Sequence, residues 1–363
     1  MAAIALNARF YSHVPTGMQR YALEMVSRLQ SNLDEIRPGR PLRGMEGHLW
    51  EQLYLPAASR RKLLWSPNNT GPLAVSRQVC TIHDIIPVEH PEWFSAGFSA
   101  WYQWLLPRLA HRVEHIVAVS EFTKQRLIER FGIAPSKVSV VWNGVGNEFT
   151  PRPEWEIEMV RAELGLAPGR YLLTVGSLEP RKNLRGLMEA WRRVSPELPE
   201  DVSLVVVGAK GASLVFSNAQ VGSIPPRVHF TGYVKQGQLP ALYSGALATV
   251  YVSLYEGFGL PALEAMACGT AVVTSNTTSL PEVAAGCAVL VDPMNCESIA
   301  QGIRNVVYDG ELREGLCHAG LAHARQWSWD RSAAETFRVL SGFAATAPMA
   351  SRVVAGNALG DLK

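Results

Sequence analysis

Two carboxylates, Glu256 and Glu264, are separated by the seven residues GFGLPAL, and the stretch continues as EAMACGTAVV. Pro261 suits the first turn of a helix, where its missing N–H costs nothing, and Gly269 suits the left-handed position just past a helix end. The spacing therefore predicts a short helix whose N-terminus presents the peptide N–H groups of Phe258, Gly259 and Leu260. Such a terminus carries about half a positive charge and unpaired donors, a combination suited to phosphate. Carboxylates beside a phosphate would repel it, but they would accept hydrogen bonds from sugar hydroxyls. A nucleoside diphosphate sugar carries both groups. The bland alternative is a loop-capping Glu256 and a solvated Glu264.

A second pair is cationic. The apolar run YLLTVG ends in SLEPRKN, which places Arg181 and Lys182 just past the carboxyl end of a strand, with Ser177 heading the same string as a donor contact. Two adjacent cations there would neutralise a diphosphate without a metal. His83 and Asp84 follow the strand-like VCTI; a lone His at a strand end is more often a structural hydrogen-bonder. Gly17 opens a helical pattern after a loop, with Arg20 one turn on, and serves equally as a turn residue or as a close approach to phosphate. No stretch completes the G-x-G-x-x-G fingerprint with a following helix, which counts against a nicotinamide enzyme.

These residues resemble the Glu, seven residues, Glu signature of retaining glycosyltransferases of family 4, whose GT-B fold faces two Rossmann-like domains across a cleft. The resemblance runs from about residue 1 to about residue 345. It implies that Glu256 meets the donor sugar hydroxyls, that the backbone of Phe258, Gly259 and Leu260 meets sugar and phosphate, and that Glu264 holds the ribose. It also implies that His83 faces the donor sugar, that Gly17 approaches the phosphate, and that Tyr233 and Val234 offer backbone to the base. The strings NAR, TGMQRY, EQLYLP and HDIIPVEHPEWF most resemble bacterial mannosyltransferases that extend O-antigen and other surface polysaccharides. That implies GDP-mannose as donor and a lipid-linked oligosaccharide as acceptor; other hexose donors, a nucleotide-sugar epimerase and an inactive sugar-nucleotide binding module are the alternatives. No cofactor and no metal are expected.

The chain must supply elements that position these groups. Its 363 residues suffice for two domains, and 47% apolar with 18% charged residues is a globular composition. A net charge of +2 gives no reason to expect nucleic acid. Five scattered cysteines without a Cys-x-x-Cys pair point to a reducing compartment. No signal peptide or membrane span is legible, so a cytoplasmic protein is expected.

Strand-like runs alternating with helical patterns predict parallel sheets with crossover helices: an α/β fold of two doubly wound domains, residues 1–152 on the acceptor side and 153–325 on the donor side. Residues 326–345 are expected to form a helix crossing back to the first domain, and 346–363 a mobile tail. Between Leu29 and His48 little strand-like sequence appears, so the first sheet is expected to be a strand short. Ser120 before Glu121 reads as a helix N-cap, or else as a cleft residue. The Trp- and Leu-rich stretch WFSAGFSAWYQWLLPRLAHR either packs into the core or touches the inner membrane peripherally.

Overall fold

A computed structural model describes residues 4–12, 17–42, 44–208 and 223–345. Two six-stranded sheets organise them. The first contains β1 (Ile4–Asn7), β2 (Leu33–Ile36), β3 (Leu63–Ser66), β4 (Gln78–Ile82), β5 (His115–Ala118) and β6 (Val138–Val140) in the order β2-β1-β3-β4-β5-β6. The second contains β7 (Arg170–Val175), β8 (Val202–Val207), β9 (Val228–Gly232), β10 (Ala248–Tyr251), β11 (Ala271–Ser275) and β12 (Val289–Val291) in the order β12-β11-β10-β7-β8-β9. The strand pairs are parallel, and helices bury both faces, so inner strands read as runs such as VSLVVV rather than as alternation. The second domain opens with a helix, Glu154–Glu163, whose Ile157 and Val160 pack with Tyr171 and Tyr243.

The expected missing strand is present. Residues LDEI form β2, paired with β1 through Ile4 and Leu33 at the sheet edge. Leu33 and Ile36 point to opposite faces and pack into separate cores, and only Leu33 of the four is fully buried. Four residues with two acids give no apolar run to notice.

In each sheet the strand order reverses at one place, between β1 and β3 in the first and between β7 and β10 in the second. Doubly wound folds bind ligands outside the carboxyl ends of the strands at such a reversal. The segments leaving β7 and β10 there are 176–183 and 252–259, the two strings that carry the cations and the first carboxylate.

The helix Gly310–Ala324 lies on the second domain, and the chain then crosses over. Trp329, Ala333 and Leu340 of the helix Trp329–Ala345 share a core with Ile4, Leu6 and Trp65 of the first domain. Each large buried side chain contributes about 1.5–3 kcal/mol, so this helix is a firm tie between the domains. The expected tail, 346–363, lies outside the described residues.

Candidate active site

The cationic pair sits on a tight turn, Pro180–Lys182, that ends in Asn183 with a left-handed backbone (φ 56°). The turn is fastened to the neighbouring strand end: Leu254 N–H donates to the Arg181 carbonyl at 2.7 Å, and the Asn183 amide donates to the carbonyls of Val252 (3.1 Å) and Pro293 (2.7 Å). These bonds bring residues some seventy positions apart into one cluster. Glu256 accepts from Arg181 Nη1 at 2.6 Å, from Lys182 Nζ at 2.6 Å and from the Tyr251 hydroxyl at 2.7 Å. Lys182 Nζ also reaches the Tyr251 oxygen at 2.7 Å. Arg181 Nε bonds Glu179 at 2.8 Å, and the Ser177 hydroxyl donates to the other Glu179 oxygen.

The electrostatics of this cluster are uneven. Burial works against ionised Glu256, but Arg181 and Lys182 outweigh it and hold the carboxyl at about 2. Burial and the adjacent Arg181 lower the Lys182 ammonium, and Glu256 restores only part. The glutamate is thus firmly charged by two cations, while the lysine is charged at a cost.

The turn after Glu256 leads into the helix Leu260–Ala267, with Pro261 in its first turn and Gly269, at φ 76°, just beyond its end. Gly259 precedes the helix at φ 111°, a conformation that L side chains rarely adopt, and a Cβ there would stand 2.5 Å from Leu280. The buried Ser279 hydroxyl lies 2.9 Å from the Glu256 carbonyl and 2.8 Å from the Phe258 carbonyl. In a planar trans peptide the next N–H points the opposite way, so the N–H groups of Gly257 and Gly259 face away from Ser279. The Phe258 ring packs against Trp327 at 5.6 Å, leaving its backbone as the part able to meet a ligand. One turn on, Glu264 is 4% exposed; it accepts from the Tyr243 hydroxyl at 3.0 Å and from the guanidinium of Arg20. Burial raises its pKa, and Arg20 and Tyr243 offset part of that rise.

Arg20 belongs to the first domain, on the helix Gly17–Leu29. Gly17 opens this helix with open space where a Cβ would stand, and the loop before it, 13–16, lies outside the described residues. Arg20 also donates to Glu148 at 3.2 Å, and Glu148 accepts from Gln236 at 3.1 Å. Tyr233 and Val234 lie just before that glutamine; Tyr233 is 78% exposed and Val234 is buried.

His83 leaves β4 and meets the second domain through its backbone. Its carbonyl accepts from Thr123 Oγ1 at 3.0 Å and lies directly over Gly257. Its ring is buried edge-on against Tyr21, with Nε2 2.9 Å from the Pro67 carbonyl. A carbonyl can only accept, so Nε2 carries the proton; burial pushes the imidazole down to about 4, and it is neutral at pH 7. Asp84 beside it is raised to about 6 by burial despite the pull of Arg181. Ser120 serves in both of its expected capacities. It caps the helix Glu121–Phe131 by accepting from Thr123 N–H at 3.0 Å, and it donates to the Gly257 carbonyl at 2.6 Å across the cleft.

Sequence reasoning missed Glu179, Tyr251 and Tyr243, which orient the expected groups, and also Glu282. This last carboxylate accepts from the N–H groups of Glu121 (3.0 Å) and Phe122 (3.3 Å) and from the Trp142 indole, closing the cleft from the donor side. The signal for Glu179 was its place two residues before Arg181; the others gave none. Among the described residues no group of three or more His, Cys, Asp or Glu side chains is arranged to hold a metal ion.

Comparison with known proteins gives the family. The family description "Glycosyl transferases group 1" matches residues 157–320, and "Glycosyltransferase Family 4" matches 55–149. The chain is 33% identical to O-antigen chain mannosyltransferase B of Escherichia coli over 272 residues, which is 74% of this chain and 71% of that one. The chain belongs to glycosyltransferase family 4. The transferase is also 31% identical over 265 residues to the serotype-specific mannosyltransferase WbdA of Escherichia coli, covering 71% of this chain but 32% of that longer protein. In fold it resembles sucrose-phosphate synthase from Thermosynechococcus elongatus, with a TM-score of 0.74 at 18% identity over 95% of this chain and 99% of that one. The two facing sheets and the returning helix are therefore those of a GT-B glycosyltransferase.

Proposed function

We propose that the transferase moves a mannosyl unit from GDP-mannose, with retention, to a growing lipid-linked surface polysaccharide. The observation that carries this reading is Glu256 held between Arg181 and Lys182 at the reversal point of the second sheet. A diphosphate there takes the two cations and the helix tip, and the released Glu256 turns to the sugar hydroxyls. On the front-side route the C1–phosphate oxygen bond breaks as the acceptor oxygen bonds C1 on the same face. The acceptor proton passes to the leaving phosphate oxygen. The protein then supplies positioning and electrostatic stabilisation rather than a general base, in keeping with a neutral, buried His83. The choice of mannose rests on the relatives' names; that of metal-free chemistry rests on the two cations. A thermal-shift panel of nucleoside diphosphates and their sugars tests the donor. A ligand at a hundred times its dissociation constant stabilises the fold by about 2.7 kcal/mol, so GDP and GDP-mannose should raise Tm and UDP-sugars should not. Nucleotide release should need the glycan acceptor and persist in EDTA; release without acceptor would indicate an epimerase or hydrolase instead.

We also infer a cytoplasmic protein that touches an anionic membrane. No described helix is long and apolar enough to cross one. Most of the apolar side of the helix Ala96–Arg112 is core, with Leu105, Leu106 and Leu109 buried, but Trp104 is exposed under the Arg108 guanidinium. Trp101 beside it touches His48 of the helix Gly44–Leu53, which exposes Met45, Leu49 and Leu53. Arg108 and Arg112 are exposed on the helix Ala96–Arg112, and an apolar face with basic neighbours suits anionic headgroups. Leu49→Glu with Leu53→Glu should abolish sedimentation with phosphatidylglycerol vesicles at low salt; unchanged sedimentation removes this surface.

A further inference from the structure

Both oxygens of Glu264 are engaged, one by Tyr243 from its own domain and one by Arg20 from the opposite domain. A ribose diol held by this carboxylate, as the proposed function has it, has to compete with the guanidinium. Arg20 is itself enclosed: its side chain is 15% exposed, it lies over the Phe149 ring at 4.9 Å, and its Nε is buried without a partner. A guanidinium drawn away from a buried carboxylate is costly unless another anion receives it. Arg20 already reaches Glu264, one turn into the helix that begins at Leu260, and Leu260 packs against the core to which Tyr21 and Ala22, the next two residues after Arg20, belong. The place where the diphosphate is proposed to bind is thus within the swing of a long side chain pivoting at position 20.

We propose that Arg20 is an exchange latch, which pairs with Glu264 across the cleft and passes to the diphosphate when the ribose hydroxyls take that carboxylate. The inference rests on the proposed donor site and adds a means by which the site distinguishes nucleotides from nucleosides. A nucleoside displaces Arg20 from Glu264 and leaves it only Glu148, a more exposed carboxylate at 3.2 Å. A nucleoside diphosphate offers a charged acceptor in geometry that a planar guanidinium binds well. Arg20 should therefore penalise the first ligand and favour the second.

Calorimetric titration of the intact protein with guanosine and with GDP tests this. In Arg20→Ala, GDP affinity should fall by about tenfold to a hundredfold, the value of a charge-assisted bond, while guanosine affinity rises or holds. Arg20→Lys retains charge and stem, loses the bidentate geometry, and carries the same comparison should the alanine variant unfold; it should show a smaller change of the same sign. Equal loss of both affinities would make Arg20 a structural tie and overturn the latch, as would GDP binding that ignores the substitution. If the unaltered protein binds GDP but Glu264→Gln leaves guanosine affinity intact, the ribose assignment itself fails and takes the latch with it.

Discussion

Lys182→Ala should lower kcat by about a hundredfold to a thousandfold, the usual consequence of removing one donor to developing charge in a water-poor site, while leaving Tm nearly unchanged. The two halves of that expectation have separate causes. Lys182 bonds both Glu256 and Tyr251, and with Arg181 it supplies the positive charge at the carboxyl end of β7. Charge building on a departing diphosphate has these two cations and the helix tip to meet it. Stability, by contrast, draws little on the ammonium. Burial and Arg181 lower its pKa, so the fold keeps it charged against a penalty. Without it, Glu256 still has Arg181 and the Tyr251 hydroxyl, and so is not left as an unpaired buried charge. Glu256→Gln provides the contrast, for it removes the anion that two cations face and should cost more stability than Lys182→Ala does. Near-normal turnover in Lys182→Ala would take this residue out of the chemistry.

The parts of the site that were legible in the sequence share a physical property: they act through local geometry. Pro261, Gly269 and the spacing of Glu256 and Glu264 specify a helix tip with a carboxylate on either side, because helix ends are fixed within a few residues by backbone preferences. Arg181 and Lys182 were legible for the same reason, as charges just past an apolar strand. The two-sheet architecture followed from alternation of strand and helix patterns. What escaped notice depends on residues distant in the chain. Tyr251 and Tyr243 look like ordinary aromatic residues of a strand and a helix, and only the fold shows that their hydroxyls end at Glu256 and Glu264. Glu282 caps a helix of the opposite domain, an arrangement that no local pattern encodes. The edge strand β2 was missed because two of its four residues, Asp34 and Glu35, are acidic and only partly buried, which removes the apolar run that marks inner strands.

Gly257 illustrates the same divide and gives the second large expected effect. From sequence it is one of two closely spaced glycines in a loop, of which only Gly259 has a left-handed backbone; Gly257 is not among the residues with positive φ. Its constraint comes from the other domain. A Cβ at this position would stand 1.8 Å from the His83 carbonyl oxygen and 3.1 Å from Asp84 Cβ. To reach even a 3.0 Å contact the carbonyl must retreat by about 1.2 Å, and it is backbone, bonded to Thr123, rather than a yielding side-chain end. Gly257→Ala should therefore leave each domain folded while holding the cleft open. A misplacement of about 1 Å between reacting groups costs roughly a hundredfold in rate, so kcat should fall by about that factor. GDP, whose proposed contacts are mostly on the second domain, should lose no more affinity than it does in Arg20→Ala, and small-angle scattering should report a larger radius of gyration. Full turnover in the alanine variant would mean that the transferase works without this contact, and that the closed arrangement of His83 over Gly257 is not the one in which the sugar is passed on.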